Sequence, residues 1–259
     1  MRVYCCQSDI VWENKVANFA RVRAMLHDAR LARGAMVVLP EMFATGFSPD
    51  LQHIAEDQNG PTGKFLEQMA RELGVCITAG VVVRDGADKM HNRAVVYDAS
   101  GTLVASYAKL HPFRPGGEKT TPGDQVVTFA CGPFTAAPFV CYDLRFPEIF
   151  RHAVRRGAEL LLVLANWPTS RLSHWTALLQ ARAIENQAYV AGVNRCGSDL
   201  EHVYGGKSMI VDPRGQILAQ AQDGAVVLGA DIDLEILRVC RREFPALTDV
   251  RDQFLGSLA

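Results

Sequence analysis

The sequence has 259 residues, of which 49% are hydrophobic and 21% charged, a composition typical of one globular unit with a substantial core. Its 27 basic and 28 acidic residues give a formal net charge of -1 and form no basic arm or acidic tail, so we expect neither a nucleic acid nor a membrane surface as partner. No apolar stretch approaches the roughly 20 residues of a membrane-spanning helix. The expected ligand is therefore a small molecule.

The cysteine content predicts a reducing environment. There are seven cysteines, an odd number that includes the adjacent Cys5 and Cys6, and the opening residues lack the pattern of a signal peptide. This usage favours a cytoplasmic protein without disulfides. No C-x-x-C pair occurs, so the spacing predicts no zinc site and we expect no metal.

Apolar runs and amphipathic stretches alternate along the chain, which indicates an α/β protein. In the first half the pattern predicts strands at 2–7, 36–39, 76–83 and 91–98, and helices at 14–33 and 61–73. Pro61 and Gly74 bound the second of these helices, as is usual for proline at a helix start and glycine after its end. In the second half it predicts helices at 147–156 and 172–187, and strands at 160–164, 189–194, 207–212, 216–220 and 225–231.

The two halves resemble each other. Ala79-Gly80-Val81 returns 112 positions later as Ala191-Gly192-Val193, and "VVYDASGTLVA" (95–105) returns after 114 positions as "MIVDPRGQILA" (209–219). A shared hairpin pattern alone could explain the second match, but the similar offsets favour an internal repeat. Two such half-units bury their sheets best by packing them face to face, which predicts a four-layer αββα sandwich. We expect one domain over 1–259, with the tail from about 244 to 259 at a subunit interface.

Cys141 is the cysteine whose neighbours indicate chemistry. It follows the apolar run "TAAPFV" and precedes "YDLRFPE", in which Pro147 fits the first turn of a helix. A side chain at such a strand-to-helix turn projects from the sheet edge, beside backbone N–H groups that can bind an oxyanion. Most free cysteines are small buried hydrophobic residues. For Cys141 the charged flanks favour a nucleophile instead.

Other strand ends could supply the groups that activate a thiol. "VVLPEMFATGF" ends a buried run with Glu41, and the equivalent position of the second half is Asn166 in "LLVLANWP". "SYAKLHPF" ends another run with Lys109 and His111. Taken singly, such charges are most often solvated loop residues. Together they could activate the thiol, with either Glu41 beside Lys109 or His111 as the proton acceptor.

"LPEMF", "YAKLHPF" and "CYDLRFPE" resemble, in order and separation, the three signature segments of the nitrilase, or carbon-nitrogen hydrolase, superfamily. The resemblance implies the αββα fold, usually as a homodimer, and no cofactor. It implies that Glu41 is the general base, Lys109 the cation beside the tetrahedral oxyanion, and Cys141 the nucleophile. Glu118 in "PGGEKTTPGD" matches a further glutamate that helps to hold the lysine and the substrate. The backbone N–H of Tyr142 would complete the oxyanion site.

Four segments are similar to the omega-amidase branch of this superfamily: "LPEMFATGF", "CYDLRFPE", "NWPTSRLSHW" and "ARAIENQAYVAGVNR". This similarity implies hydrolysis of the terminal amide of 2-oxo acid monoamides, such as 2-oxoglutaramate and 2-oxosuccinamate, through a cysteine thioester. The substrate carboxylate would need a cation, for which Arg145, Arg114 and Arg171 are candidates. For Arg145 we favour a structural pairing with Glu148 or Asp143. Three aromatic residues could form either pocket wall or core: Phe43, Phe47 and Trp167.

Several alternatives share part of this pattern. The same three residues would occur in a nitrilase, a carbamoylase or an aliphatic amidase. A nitrilase is the least favoured of these, because the long C-terminal extension typical of that branch is not recognised in the sequence. A non-catalytic scaffold with this fold is disfavoured, because burying an unused Glu, Lys and Cys together is costly. The interval from Cys141 to Arg145 is too short for the C-x5-R loop of phosphatases.

Overall fold

The structure is a computed structural model, and it describes residues 1–254 of the chain. Within these residues the chain forms fourteen strands: β1 (Arg2–Gln7), β2 (Met36–Val38), β3 (Cys76–Arg84), β4 (Met90–Tyr97), β5 (Leu103–Ala108), β6 (Phe129–Cys131), β7 (Phe134–Val140), β8 (Leu160–Ala165), β9 (Tyr189–Asn194), β10 (Cys196–Ser198), β11 (Val203–Gly205), β12 (Met209–Val211), β13 (Ile217–Gln220) and β14 (Val226–Asp231). The same residues form six α-helices: α1 (Lys15–Asp28), α2 (Leu51–Ile54), α3 (Pro61–Leu73), α4 (Pro147–Arg155), α5 (Leu172–Asn186) and α6 (Leu234–Glu243).

Two six-stranded sheets share one plan. The first has the order β14-β1-β2-β3-β4-β5 and the second β13-β12-β9-β8-β7-β6. The central strands β1, β2 and β3 are parallel, as are β7, β8 and β9, and the flanking pairs are antiparallel. The matched tripeptides lie on β3 and β9, and the matched hairpins are β4–β5 and β12–β13. The predicted internal repeat is thus a repeat of structure.

The alternation of side chains along β1 shows how the layers stack. Val3 and Cys5 belong to the core that also contains the apolar residues of β7, β8 and β9, whereas Tyr4 and Cys6 pack with Leu66 of α3 and with α1 on the other face. Helices α4 and α5 contribute to the core on the second sheet. Because successive strand residues point to opposite faces, each sheet has one face toward its partner and one toward helices. The αββα sandwich is confirmed.

The structure also corrects some element bounds. The first helix ends at Asp28 rather than near 33, because the chain turns at Arg30, whose φ is +48°. Gly74 ends α3 in the left-handed conformation, as predicted. The last strand, β14, returns to the first sheet and pairs with β1.

Two observations concern the ends and surface of the molecule. Residues 244–254 contain the 3-10 turns Ala246–Asp249 and Asp252–Phe254, and the rest of the tail that we expect at a subunit interface lies outside the described residues.

Among the helices that the structure describes, none is long and apolar enough to cross a membrane.

Candidate active site

Four side chains that follow strands meet where the two sheets face each other. From the first sheet come Glu41, after β2, and Lys109, after β5. From the second come Cys141, directly after β7, and Asn166, directly after β8. The carboxyl ends of parallel strands meet at one edge of a sheet, which is where ligands bind in α/β folds. The three residues singled out by the sequence are therefore brought together.

The turn at Cys141 is a strained connection held by a buried carboxylate. Cys141 has a φ of +47° and begins a 3-10 helix, Cys141–Arg145, immediately before α4. Asp143 accepts hydrogen bonds from the N–H of Val140 (3.1 Å), the N–H of His111 (3.0 Å) and the hydroxyl of Tyr107 (2.7 Å). These bonds hold the turn in its strained conformation.

The thiol of Cys141 is protonated in the resting site. Burial raises its pKa well above the ordinary value for cysteine, and the negative charge of Glu41 raises it further, while Lys109 acts in the opposite direction. The Sγ atom lies 3.9 Å from the backbone oxygen of Asn166. A protonated thiol is a poor nucleophile, so the site needs a base in contact with it.

Lys109 joins two carboxylates inside the protein. Its Nζ lies 2.8 Å from Oε1 of Glu41 and 2.8 Å from Oε2 of Glu118, and its side chain is 1% exposed. Burial lowers the pKa of Lys109, but the charges of Glu41 and Glu118 outweigh burial and keep the pKa above its usual range. Burial likewise opposes ionisation of Glu118, but Lys109 and several hydrogen bonds hold the pKa of Glu118 below its ordinary value. Lys109 is a permanent cation here.

The sequence did not single out Asn92, which belongs to the same cluster. Its Nδ2 donates to Oε1 of Glu41 (2.8 Å) and to Oε1 of Glu118 (3.0 Å). Asn92 lies on β4 and is fully buried. Asparagine is depleted in strands, so its position inside a predicted strand was the signal available in the sequence.

A cavity of about 500 Å³ opens onto Cys141. Its lining includes Phe47, Tyr142 and Trp167, together with the arginines Arg145 and Arg171. The two guanidinium groups are stacked on aromatic rings, that of Arg145 at 4.8 Å from the centroid of Trp167 and that of Arg171 at 5.5 Å from the centroid of Phe113. The cavity thus offers positive charge and apolar walls above the thiol.

Phe43 is not a wall of this cavity. It is fully buried in the core between the first sheet and its helices, 6.1 Å from the ring of Phe19 and 6.1 Å from that of Phe65. The left-handed backbone at Met42 (φ +44°) separates the direction of this ring from that of Glu41. Of the two possibilities left open for Phe43, pocket wall is wrong and a core position is confirmed.

The structure also revises the roles expected for Arg145 and Arg114. The oxygens of Asp143 are occupied by the donors already described, and Arg145 stacks on Trp167 with its Nη2 3.4 Å from Nδ1 of His174. The favoured pairing of Arg145 with Asp143 or Glu148 is not found among the described residues. Arg114 donates to the backbone oxygens of Glu118 (2.6 Å) and Thr120 (3.0 Å), which uses its guanidinium to hold a loop.

His111 lies against the turn rather than serving the thiol. Its Nδ1 is 2.9 Å from Oδ1 of Asp143, and its ring stacks on Phe146 with 3.7 Å between the centroids. This geometry gives His111 a bracing contact and leaves the carboxylate of Glu41 as the basic group beside Cys141.

Comparisons with known proteins show the family of this chain. The family model described as Carbon-nitrogen hydrolase matches residues 2–242. A 2-oxoglutaramate amidase of Bacillus subtilis (strain 168) is 32% identical over 96% of this chain and 97% of its own, and omega-amidase YafV of Yersinia enterocolitica is 37% identical over 98% of both. The crystal structure of XC1258 from Xanthomonas campestris, a CN-hydrolase superfamily protein with an arsenic adduct in its active site, has a TM-score of 0.93 and 34% identity over 99% of both chains.

Proposed function

The chain belongs to the carbon-nitrogen hydrolase family, and we propose that it is an omega-amidase with Cys141 as nucleophile, Glu41 as general base and Lys109 as oxyanion-stabilising cation. Its substrate is the monoamide of a 2-oxo dicarboxylic acid, such as 2-oxoglutaramate or 2-oxosuccinamate, and its products are the dicarboxylic acid and ammonia. Relatives named omega-amidase or 2-oxoglutaramate amidase match this chain over nearly their whole length, and they support this choice of substrate. The observation that carries the mechanism is the contact of a protonated buried thiol with a carboxylate that also binds a buried ammonium.

Acylation starts from the thiol. Glu41 accepts the thiol proton while Sγ of Cys141 attacks the amide carbonyl carbon, so that a C–S bond forms and the carbonyl oxygen becomes an oxyanion. Protonated Glu41 then donates to the amide nitrogen, the C–N bond breaks, ammonia leaves, and a thioester remains on Cys141.

Lys109 and the turn supply the oxyanion site. An ammonium has three donors, and Lys109 uses two on Glu41 and Glu118, so one remains for the substrate oxygen. Tyr142 is the second residue of the 3-10 helix, where a backbone N–H has no partner inside the helix. Charge-assisted donors of this kind strengthen as the oxyanion develops.

Deacylation reuses the same base. Glu41 takes a proton from water as the water oxygen attacks the thioester carbon, and the proton passes to sulfur as the C–S bond breaks. The carboxylic acid leaves and the thiol is restored. Every proton that moves is carried by Glu41.

Arg145 and Arg171 bind the carboxylate at the far end of the substrate. Both line the cavity that opens onto Cys141, and stacking on Trp167 and Phe113 orients each planar guanidinium. A guanidinium held in this way suits the two oxygens of a carboxylate. This recognition favours an anionic amide over a neutral one.

An ammonia-release assay tests the proposal. Wild type and Cys141→Ala are compared on 2-oxoglutaramate, 2-oxosuccinamate, glutamine and a simple aliphatic nitrile. We expect release from the two oxo-acid amides by the wild type alone. Turnover confined to glutamine or the nitrile would contradict the substrate and keep the nucleophile, whereas undiminished release by Cys141→Ala would contradict the nucleophile.

We also propose that the protein acts as a homodimer in the cytoplasm. All seven cysteines lie within the described residues and are free thiols, which supports a reducing compartment. Ile184 of α5 and Ile217 of β13 are exposed apolar side chains that a second copy could cover. Analytical ultracentrifugation would give the oligomeric state.

A further inference from the structure

We propose that Asn92 is a positioning residue that fixes which oxygen of Glu41 serves as the base, by sharing one side-chain amide between Glu41 and Glu118. The inference rests on the role proposed above for Glu41. It concerns a residue of β4 that contacts neither the cavity nor the thiol.

The position of Asn92 connects every charged member of the cluster. Its Nδ2 donates to Oε1 of Glu41 at 2.8 Å and to Oε1 of Glu118 at 3.0 Å. Its backbone oxygen accepts the N–H of Lys109 at 2.8 Å. A single residue therefore holds both carboxylates by its side chain and the lysine by its backbone.

The chemistry of the amide fixes its orientation. Only the NH₂ group can face two carboxylates, because the amide oxygen in that place would meet two negative charges. The Oδ1 atom of Asn92 is buried and has no hydrogen-bond partner among the described residues. A buried unpaired oxygen is unfavourable, so the two bonds made by Nδ2 are the contribution of this side chain.

The two carboxylates need more than one cation to remain charged together. The titratable groups that act on this cluster are Lys109, Cys141 and the glutamates themselves, and they include one positive and two negative charges when the thiol is neutral. Neutral donors must therefore stabilise the second negative charge. Asn92 is the neutral donor shared by both, while Thr120 and the N–H of Phe113 serve Glu118 alone.

The same bonds distinguish the two oxygens of Glu41. Oε1 accepts from Nζ of Lys109 and Nδ2 of Asn92 at 2.8 Å each, whereas Oε2 accepts from the backbone N–H of Asn166 at 3.0 Å and from its Nδ2 at 3.4 Å. The backbone oxygen of Asn166 is also the neighbour of Sγ of Cys141. Oε2 is thus bound to the residue that also neighbours the thiol, and it lacks the ammonium that Oε1 binds, so Oε2 is the oxygen left to take the proton.

The test measures pH dependence and not activity alone. Asn92→Asp keeps the size of the side chain, removes both N–H donors and adds a third carboxylate to the cluster, whereas Asn92→Ala removes the donors without adding a charge. We expect either change to lower kcat by roughly 10- to 100-fold with little change in KM, since each loses hydrogen bonds to charged groups. We expect the acidic limb of the kcat/KM profile to move to higher pH, because the Asn92 hydrogen bond is among those that hold the pKa of Glu118, the partner of Lys109, below its ordinary value.

Two substrates separate this inference from the proposed function. 2-Oxoglutaramate depends on the substrate assignment, whereas 4-nitrophenyl acetate reports acylation of Cys141 whatever the natural amide is. If the wild type hydrolyses the ester but no oxo-acid amide, the proposed substrate fails and a shifted ester profile in the Asn92 variants still supports the inference. A wild type inert to both the ester and the oxo-acid amides would overturn both.

Asn186→Asp is the matched control. Asn186 is a fully buried asparagine of α5 whose Nδ2 donates to the backbone oxygen of Arg182, away from the cluster. We expect this variant to lower the melting temperature and to keep the wild-type acidic limb. Asn92 variants that lose activity only in parallel with stability, with an unmoved acidic limb, would overturn the inference, and so would a failure of both to fold.

Discussion

Glu41 and Gly80 lie in backbone contact: a Cβ atom on Gly80 would be 2.4 Å from Cα of Glu41 and 2.6 Å from the amide nitrogen of Met42. The N–H of Gly80 donates to the oxygen of Pro40 at 3.1 Å. The segment that carries the base thus lies directly on β3, and a glycine there permits the approach. The position of Glu41 therefore depends on the absence of a Cβ atom at Gly80 of the neighbouring strand β3.

Gly80→Ala should therefore displace Glu41 without altering any functional group. We expect kcat to fall by about 100-fold or more, since a shift of about 1 Å in a catalytic group has effects of that size. Steady-state kinetics on the hydrolysed amide would measure it. Gly86→Ala is the control, because a Cβ there meets nothing within 4 Å. Equal activity in the two variants would show that the segment can move without loss.

Glu41→Gln should make Cys141 easier to alkylate while abolishing amide hydrolysis. Burial and then the charge of Glu41 raise the pKa of this thiol, so in the wild type the thiolate forms only at high pH. Removing the negative charge leaves Lys109 and lowers the pKa, so that more thiolate is present at a given pH. We expect roughly tenfold faster reaction with iodoacetamide near pH 8, followed by mass spectrometry of the Cys141 peptide. Unchanged or slower labelling would contradict a charged Glu41 beside the thiol.

Arg145→Gln and Arg171→Gln should each impair binding of the anionic substrate. Loss of a charge-assisted hydrogen bond costs about 1.5–3 kcal/mol, so we expect KM for 2-oxoglutaramate to rise roughly 10- to 100-fold. Turnover of a neutral amide such as butyramide should change little. Arg238→Gln, at an exposed position of α6, is the control. Equal losses on both amides would mean that these arginines support the fold of the cavity and do not bind the carboxylate.

His111→Ala should retain most activity, whereas Glu41→Ala should abolish it. His111 contacts Asp143 and stacks on Phe146, so its loss should lower the free energy of unfolding by about 1–3 kcal/mol. Chemical denaturation and steady-state kinetics of the two variants would measure both effects. The reverse result would make His111 the base.

Much of the fold was predictable because its signals are local. Strands and helices follow the period of the apolar residues, and the offsets of the matched segments predicted the repeat. The place of β14 was not predictable, since its pairing of Arg2 with Asp231 spans almost the whole chain and leaves no local pattern. The hairpin β10–β11 was also missed because its strands have only three residues each.

The site was predictable to the extent that residues follow strands. Glu41, Lys109 and Cys141 each come where an apolar run stops, and the structure brings them together. Side-chain direction was not predictable: Phe43 is two residues from Glu41 and points into the core, because the backbone at Met42 is left-handed. Asn92 is uncharged and lies inside a strand, so the sequence did not single it out as part of the site. Its role is visible only in the structure, where its side chain contacts both Glu41 and Glu118.

Glu41 and Asn166 occupy equivalent positions of the two halves, each following the middle strand of its parallel trio, and they touch. The N–H of Asn166 donates to Oε2 of Glu41, and its Nδ2 donates to the backbone oxygen of Glu41 at 2.7 Å. The two copies of this position thus face each other across the interface of the sheets. Two identical glutamates there would place like charges in a buried space, and two identical amides would offer no base. Hydrolysis at this place requires the halves to differ, so the repeat of structure cannot extend to a repeat of charge.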